Sequence, residues 1–159
     1  MGAGGRANDE RAVRNLIDQW DTAYRSLNAR ALVNLLTPDY ELINRIGQWT
    51  PFKTREANER MWSWAFTNIY QGKPGPHHTV ESVRFIQPRV AVVQARAFWP
   101  DEIVLPDGTR IPPHGEIDTF IVVKQKEGWR ISAQNIHNQM PGEELPTRLP
   151  WEGNDTQSK

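Results

Sequence analysis

The stretch that decides the fold is GEIDTFIVVKQKEGWRISAQNIHN, residues 115–138. Ile117, Thr119, Ile121 and Val123 alternate with Glu116, Asp118, Phe120, Val122 and Lys124. After a turn at Lys126, Glu127 and Gly128, Trp129, Ile131, Ala133, Asn135 and His137 alternate with Arg130, Ser132, Gln134 and Asn138. Period-two alternation across a Gly-bearing turn predicts an antiparallel hairpin with one dry face. With the Ile117 and Trp129 sets taken as that face, the second strand begins apolar and ends in Asn135 and His137. A buried face that turns polar at one end needs hydrogen-bond partners or a ligand there. The sequence therefore points to that end for function.

Working outward, residues 78–86 and 89–99 read as two strands joined tightly at Gln87 and Pro88. Ala91, Val93, Ala95, Ala97 and Trp99 share one face of the second, and its small side chains leave room above the sheet. A long connection follows, residues 100–114, with Pro106-Asp107-Gly108 and Pro112-Pro113. Nearer the start, Val13, Leu16, Ile17, Trp20, Ala23, Tyr24 and Leu27 recur at three- and four-residue spacing, predicting a helix capped by Asn8 or Asp9. A shorter helix is expected over residues 29–36 and a strand over 40–46, with Tyr40, Leu42, Asn44 and Ile46 on one side. Thr54 is placed to cap a third helix with Ala57, Met61, Trp62, Ala65, Phe66 and Ile69 on its apolar arc. The expected organisation is a loose start (residues 1–8), one domain (9–140) and a proline-rich polar tail (141–159). Trp151 in that tail is expected to be pinned to the body or to a partner subunit. This order of elements gives an α+β fold with its helices on one face of the sheet. A strongly curved sheet over helices makes a cone, and cones hold pockets.

Lysine plus arginine equals aspartate plus glutamate, 19 each, so no global field draws in nucleic acid or an anionic membrane. Arg84, Arg89, Arg96 and Arg130 are dispersed among acids rather than gathered in a stripe. The absence of cysteine removes disulfides and thiolate chemistry. No apolar run reaches the length of a membrane span, and the start MGAGGRANDE lacks a signal-like apolar region, so the expectation is a cytoplasmic protein. His77 and His78 are adjacent and on a strand would point to opposite faces. With no Cys and no helical His pair, no metal is expected, and the lack of a nucleotide fingerprint gives no cofactor.

The helix with Trp20 and Tyr24, then LLTPDYELI (residues 35–43), HHTVESVRFIQPRVAVV (77–93) and DTFIVVKQKEGWRISA (118–133), resemble the nuclear transport factor 2-like superfamily, specifically its SnoaL-like and SgcJ/EcaC-type branch. The resemblance spans roughly residues 9–138. It implies a cystatin-like cone: a strongly curved, mostly antiparallel sheet wrapped around three N-terminal helices. It also implies an apolar ligand from polyketide, enediyne or other secondary metabolism. The superfamily contains isomerases, cyclases, dehydratases and non-catalytic binders. Ketosteroid isomerase members carry a catalytic Asp on the first strand, where this chain aligns Asn44. SnoaL cyclases carry an acid near the end of the last strand, where this chain has His137 and Asn138.

His137 is the leading candidate for acid/base work, because imidazole titrates near neutral pH; its competing reading is a solvated ring at the strand's exit. Asn44, Thr119 and Asn135 would orient a ligand oxygen, or else bond neighbouring backbone. Asp118 is a second-tier candidate, placed by alternation on the outer side unless a bulge reverses it. Trp20, Tyr24, Tyr40, Trp62, Phe66 and Trp99, with Ala95 leaving space, would line a pocket for a flat apolar ligand or simply fill the core. The expectation is a homodimer through the outer sheet face that binds an apolar small molecule, either as a catalyst or as a carrier or assembly module.

Overall fold

A computed structural model describes residues 3–50 and 52–139. Three helices come first: α1 (Ala3–Arg25), α2 (Ala29–Val33) and α3 (Arg55–Asn68). The strands are β1 (Leu36–Ile43), β2 (Trp49–Thr50), β3 (Thr79–Gln87), β4 (Val90–Trp99), β5 (Ile103–Val104), β6 (Arg110–Ile111), β7 (His114–Gln125) and β8 (Gly128–Gln139). Six of them form one curved sheet in the order β2-β1-β8-β7-β4-β3, with β1 parallel to β8 and every other pairing antiparallel. β5 and β6 form a small separate hairpin inside the connection read as plain loop. This is the expected α+β, cystatin-like cone. The proline-rich segment and Trp151 lie outside the described residues.

Local chemistry accounts for the helix boundaries. The Thr54 side chain accepts a hydrogen bond from Ala57 N at 3.2 Å and starts α3, as its sequence signal predicts. Asn28 does the same for α2, through Ala31 N at 2.9 Å. α1 begins at Ala3, upstream of the expected cap. Arg6 lies over the Phe85 ring, 4.7 Å from its centroid, and anchors this first turn. Asp9 is spent elsewhere: its carboxylate accepts from Lys124 Nζ at 2.6 Å and Trp129 Nε1 at 3.1 Å, tying α1 to the β7–β8 hairpin.

The β4 face is as read: Ala91, Val93, Ala95, Ala97 and Trp99 are all buried. On β7 the buried face is the other one, His114, Glu116, Asp118, Phe120 and Val122, while Ile117, Thr119, Ile121 and Val123 look outward. Both faces of β7 carry apolar side chains, so alternation alone does not choose between them; the helices pack against Phe120 and Val122. β8 starts in the predicted phase, with Trp129 and Ile131 buried. A bulge then intervenes, because Val122 pairs with Ile131 but Ile121 pairs with Ala133, leaving Ser132 unpaired. One extra residue reverses the alternation. Beyond it Gln134 and Ile136 are buried, and His137 is exposed.

Candidate functional site

Between α1 and the far ends of β4, β7 and β8, polar side chains replace the apolar core. Ala95 pairs opposite Asp118, and Ala97 opposite Glu116. The room left by these two small residues is occupied by carboxylates. His78, in the segment leading into β3, inserts between them and Asp21 of α1. Its Nδ1 lies 3.0 Å from Asp21 Oδ1, its Nε2 3.3 Å from Glu116 Oε1 and 3.6 Å from Asp118 Oδ2. The His78 backbone N–H also donates to Asp21 Oδ1, at 2.9 Å, and His77 Nδ1 meets Asp21 Oδ2 at 2.6 Å. Adjacent histidines therefore do converge on one group, a carboxylate, because they precede the strand rather than alternate within it.

Both ring nitrogens of His78 face carboxylates, which suits an imidazolium donating in both directions. Burial alone would push the His78 pKa down. The hydrogen bonds to Asp21 and Glu116 and the charges of Asp118 and Glu116 outweigh that and hold it at about 9. Burial likewise would lift Glu116, but the neighbouring His114 and His78 and the Arg45 guanidinium hold it well below the usual carboxylate range. Arg45 Nη1 donates to Glu116 Oε2 at 2.8 Å, and Trp99 Nε1 donates to the same oxygen at 2.8 Å. Asp21 is also held low, burial being outweighed by its bonds to His78 and His77.

Asp118 goes the other way. Burial, then the adjacent Glu116 charge, raises its carboxyl well above the ordinary range. Gln134 decides which oxygen carries the proton. Tyr40 OH donates to Gln134 Oε1 at 2.8 Å, so the amide's Nε2 donates to Asp118 Oδ2, at 2.7 Å. The proton then belongs on Oδ1, which is buried and has no hydrogen-bond partner among the described residues. Trp20 Nε1, Trp62 Nε1 and Tyr24 OH are buried and unpartnered too. All four residues line one inner void, about 160 Å³ of free space too narrow to seat a water molecule.

Next to this void lies a larger cleft of about 680 Å³, formed by α3, the β1–β2 turn and the β5–β6 hairpin, with Leu42, Met61, Trp64 and Ile69 among its apolar walls. Arg45, Trp62, Tyr70 and Ile136 border both spaces and form the wall between them. The cleft is of a size to take a small apolar molecule.

The candidate residues separate into three groups. Asp118, expected outside, is 1% exposed and central. Trp20, Tyr24 and Trp62 are buried core residues around the narrow inner void, and of the three Trp62 also lines the cleft. Tyr40 orients Gln134, Trp99 binds Glu116, Ala95 makes space for Asp118, and Phe66 packs on Tyr24, Trp62 and Tyr70 in the core. The remaining polar candidates are elsewhere. His137 is exposed on the outer face because of the bulge, and Asn135 shares that face opposite Thr119. Thr119 donates to Gln94 Oε1 at 2.7 Å. Asn44 sits at the cleft's edge in the turn after β1, where its Oδ1 accepts from Ile46 N at 3.2 Å and Gln48 N at 2.9 Å.

Asp21, Arg45, His78, Glu116 and Gln134 carry the site but were not singled out for this role from sequence. One signal was available: Asp21 interrupts an apolar helix arc, while Glu116 and Asp118 share one strand face with Phe120 and Val122. His78, Glu116 and Asp118 place ligand atoms within 4.8 Å of one another, a possible divalent set. Yet both Glu116 oxygens already accept hydrogen bonds, and the Arg45 cation is in contact with one. The donor set therefore suits protons better than a metal ion.

No protein-family model matches the chain, and no curated protein matches it. Solved structures do. An uncharacterised protein with a cystatin-like fold from Caulobacter vibrioides superposes with a TM-score of 0.72 at 19% identity, covering 84% of this chain and 92% of that one. A ketosteroid isomerase-like protein from Erwinia carotovora atroseptica gives 0.64 at 14% identity, over 85% and 96%. A nuclear transport factor 2-like protein with a cystatin-like fold from Novosphingobium aromaticivorans gives 0.59 at 16%, over 86% and 85%. The fold is thus the cystatin-like fold. No helix among the described residues is long and apolar enough to cross a membrane.

Proposed function

We propose that the protein is a cofactor-free acid/base catalyst of the isomerase, cyclase or dehydratase type, acting on an apolar, polyketide-like small molecule seated in the cleft. The observation that carries this reading is Asp118 Oδ1, buried without a hydrogen-bond partner among the described residues and lining one void with three further unpartnered N–H and O–H donors. Burial and the Glu116 charge favour its protonated form. Asp118 delivers this proton to a ligand oxygen or carbon and can take one back. His78 and the Gln134 amide stabilise the carboxylate that forms in between. Trp20, Trp62 and Tyr24 line the same closed void, so a ligand oxygen that reached Asp118 once the void opened would meet their N–H and O–H groups. His78 is held in its charged form by Asp21, so it acts on Asp118 rather than on the ligand.

The likeness in fold to a ketosteroid isomerase-like protein supports this reading. A second reading, a non-catalytic carrier, is favoured by the wall of Arg45, Trp62, Tyr70 and Ile136, which must part before a ligand in the cleft meets Asp118. Proton exchange separates the two. With 2-tetralone in D₂O followed by NMR, the protein should accelerate exchange of the α-protons. Asp118→Asn should lower that rate about a hundredfold, the lower end of what a positioned acid/base group contributes. Ligand binding with no accelerated exchange would leave the carrier reading in place.

A further inference from the structure

The cleft has a chemical preference of its own. Arg45, Arg60 and Asp107 are the charged groups among the lining residues of a mainly apolar space, and Arg45 is ion-paired to Glu116. At its mouth Ile46, Phe52 and Trp64 stay uncovered, Trp64 to 52%. Arg60, on α3, has no ion-pair partner among the described residues. Arg45 is different, since its side chain is only 6% exposed.

The turn at residues 44–48 fixes Arg45. Asn44 accepts from two backbone N–H groups within it, Gly47 supplies a φ of 77° that other residues rarely adopt, and Asn138 Nδ2 donates to Arg45 O at 3.4 Å. The guanidinium then lies 4.6 Å over the Trp99 ring. Nη1 donates to Glu116 Oε2 at 2.8 Å and lies 3.4 Å from His114 Nε2; Nη2 donates to Tyr70 OH at 3.3 Å. His114 Nδ1, 2.7 Å from Pro112 O, donates to that carbonyl and fixes the ring beside the guanidinium. Among the described residues no acceptor meets the Arg45 Nε–H. A rigid cation at the cleft's floor with an uncommitted donor is suited to a planar anion.

We infer that the ligand of the cleft is an apolar carboxylic acid whose carboxylate is read by Arg45, with Arg60 drawing it in from the rim. This rests on the cleft being the substrate's seat and adds the substrate's class to the reading above. The Arg45 Nε–H and Arg60, both unpaired among the described residues, supply the donors, and the aliphatic and aromatic walls take the remainder of the molecule. The carboxylate would lie against the wall that separates the cleft from Asp118, so chemistry would fall on the carbons nearest to it.

The test compares 2-naphthoate with its neutral isostere 2-naphthamide. Trp62 and Trp64 line the cleft, so their fluorescence reports binding. The acid is expected to bind the wild-type chain about tenfold tighter, as a charge-assisted pair in a partly desolvated site should. In a ¹⁵N-labelled sample the Arg45 Nε–Hε resonance, assigned by its loss in Arg45→Lys, should shift with the acid and not with the amide. Arg60→Gln should weaken the acid only about twofold, the scale of an exposed pair. Equal affinities, no binding of either probe at millimolar concentration, or an acid preference that disappears in Arg60→Gln without movement of the Arg45 resonance would each overturn the inference. Because the measurement requires no turnover, it stands or falls separately from the proton-exchange experiment.

Discussion

Asp118 and Thr119 are neighbours on β7, and Ile136 and His137 are neighbours on β8, yet the two faces they occupy have little in common. On the inner face, Asp118, Glu116 and Gln134 are joined with His78, Asp21, Arg45 and Tyr40 in one network in which each protonation state depends on the others. On the outer face, Thr119 makes a single bond to Gln94 and His137 meets solvent. A titratable residue gains chemical capability here from what surrounds it, not from its own type. The imidazole of His137 is outside, and the carboxyl whose pKa burial displaces, Asp118, is inside.

The sharpest way to break the comparison is to remove one inner partner. Asp21→Ala leaves the buried His78 cation without its main counter-charge. It should cost on the order of 3–5 kcal/mol in chemical denaturation, the scale of splitting a buried pair. A loss below about 1 kcal/mol would mean that the network is not held together as described.

A gentler probe is pH. The His78 pKa is raised from 6.5 to about 9, so its stabilising contribution is complete below about pH 6.5 and fades as pH climbs through 9. The raised Asp118 carboxyl works in the same direction, since its neutral form is the one the fold favours. Asp21 and Glu116, both lowered, contribute above the ordinary carboxylate range, and that contribution is lost on acidification. Thermal unfolding should therefore show stability falling by up to about 3 kcal/mol between pH 6.5 and about pH 9.5. His78→Asn should flatten that slope, and a flat wild-type profile would show that His78 is not held as an imidazolium. The smallest effect belongs to the outer face. His137→Ala should change stability by no more than about 0.5 kcal/mol and leave proton exchange at the wild-type rate.

Much of the architecture was readable in the chain. The Thr54 cap, the β4 face with its paired alanines, the hairpin around Gly128 and the α+β order all follow from local rules of spacing and capping. The site was only half readable. Trp20, Tyr24 and Trp62 could be placed from helical periodicity, but which of two apolar sets on β7 is buried could not. Ile117, Ile121 and Val123 make as good a dry stripe as Phe120 and Val122.

Sequence alone therefore determined the elements, their order and the aromatic inner wall, because helix and strand periods are properties of neighbouring residues. The tertiary structure decided the face of β7, the unpaired Ser132 that turns His137 outward, and the meeting of Asp21, Arg45, His78, Glu116 and Asp118 from four separate segments. Those outcomes depend on which surfaces pack against the helices. No local pattern encodes that choice, since burial is settled by the whole sheet and the helices it encloses.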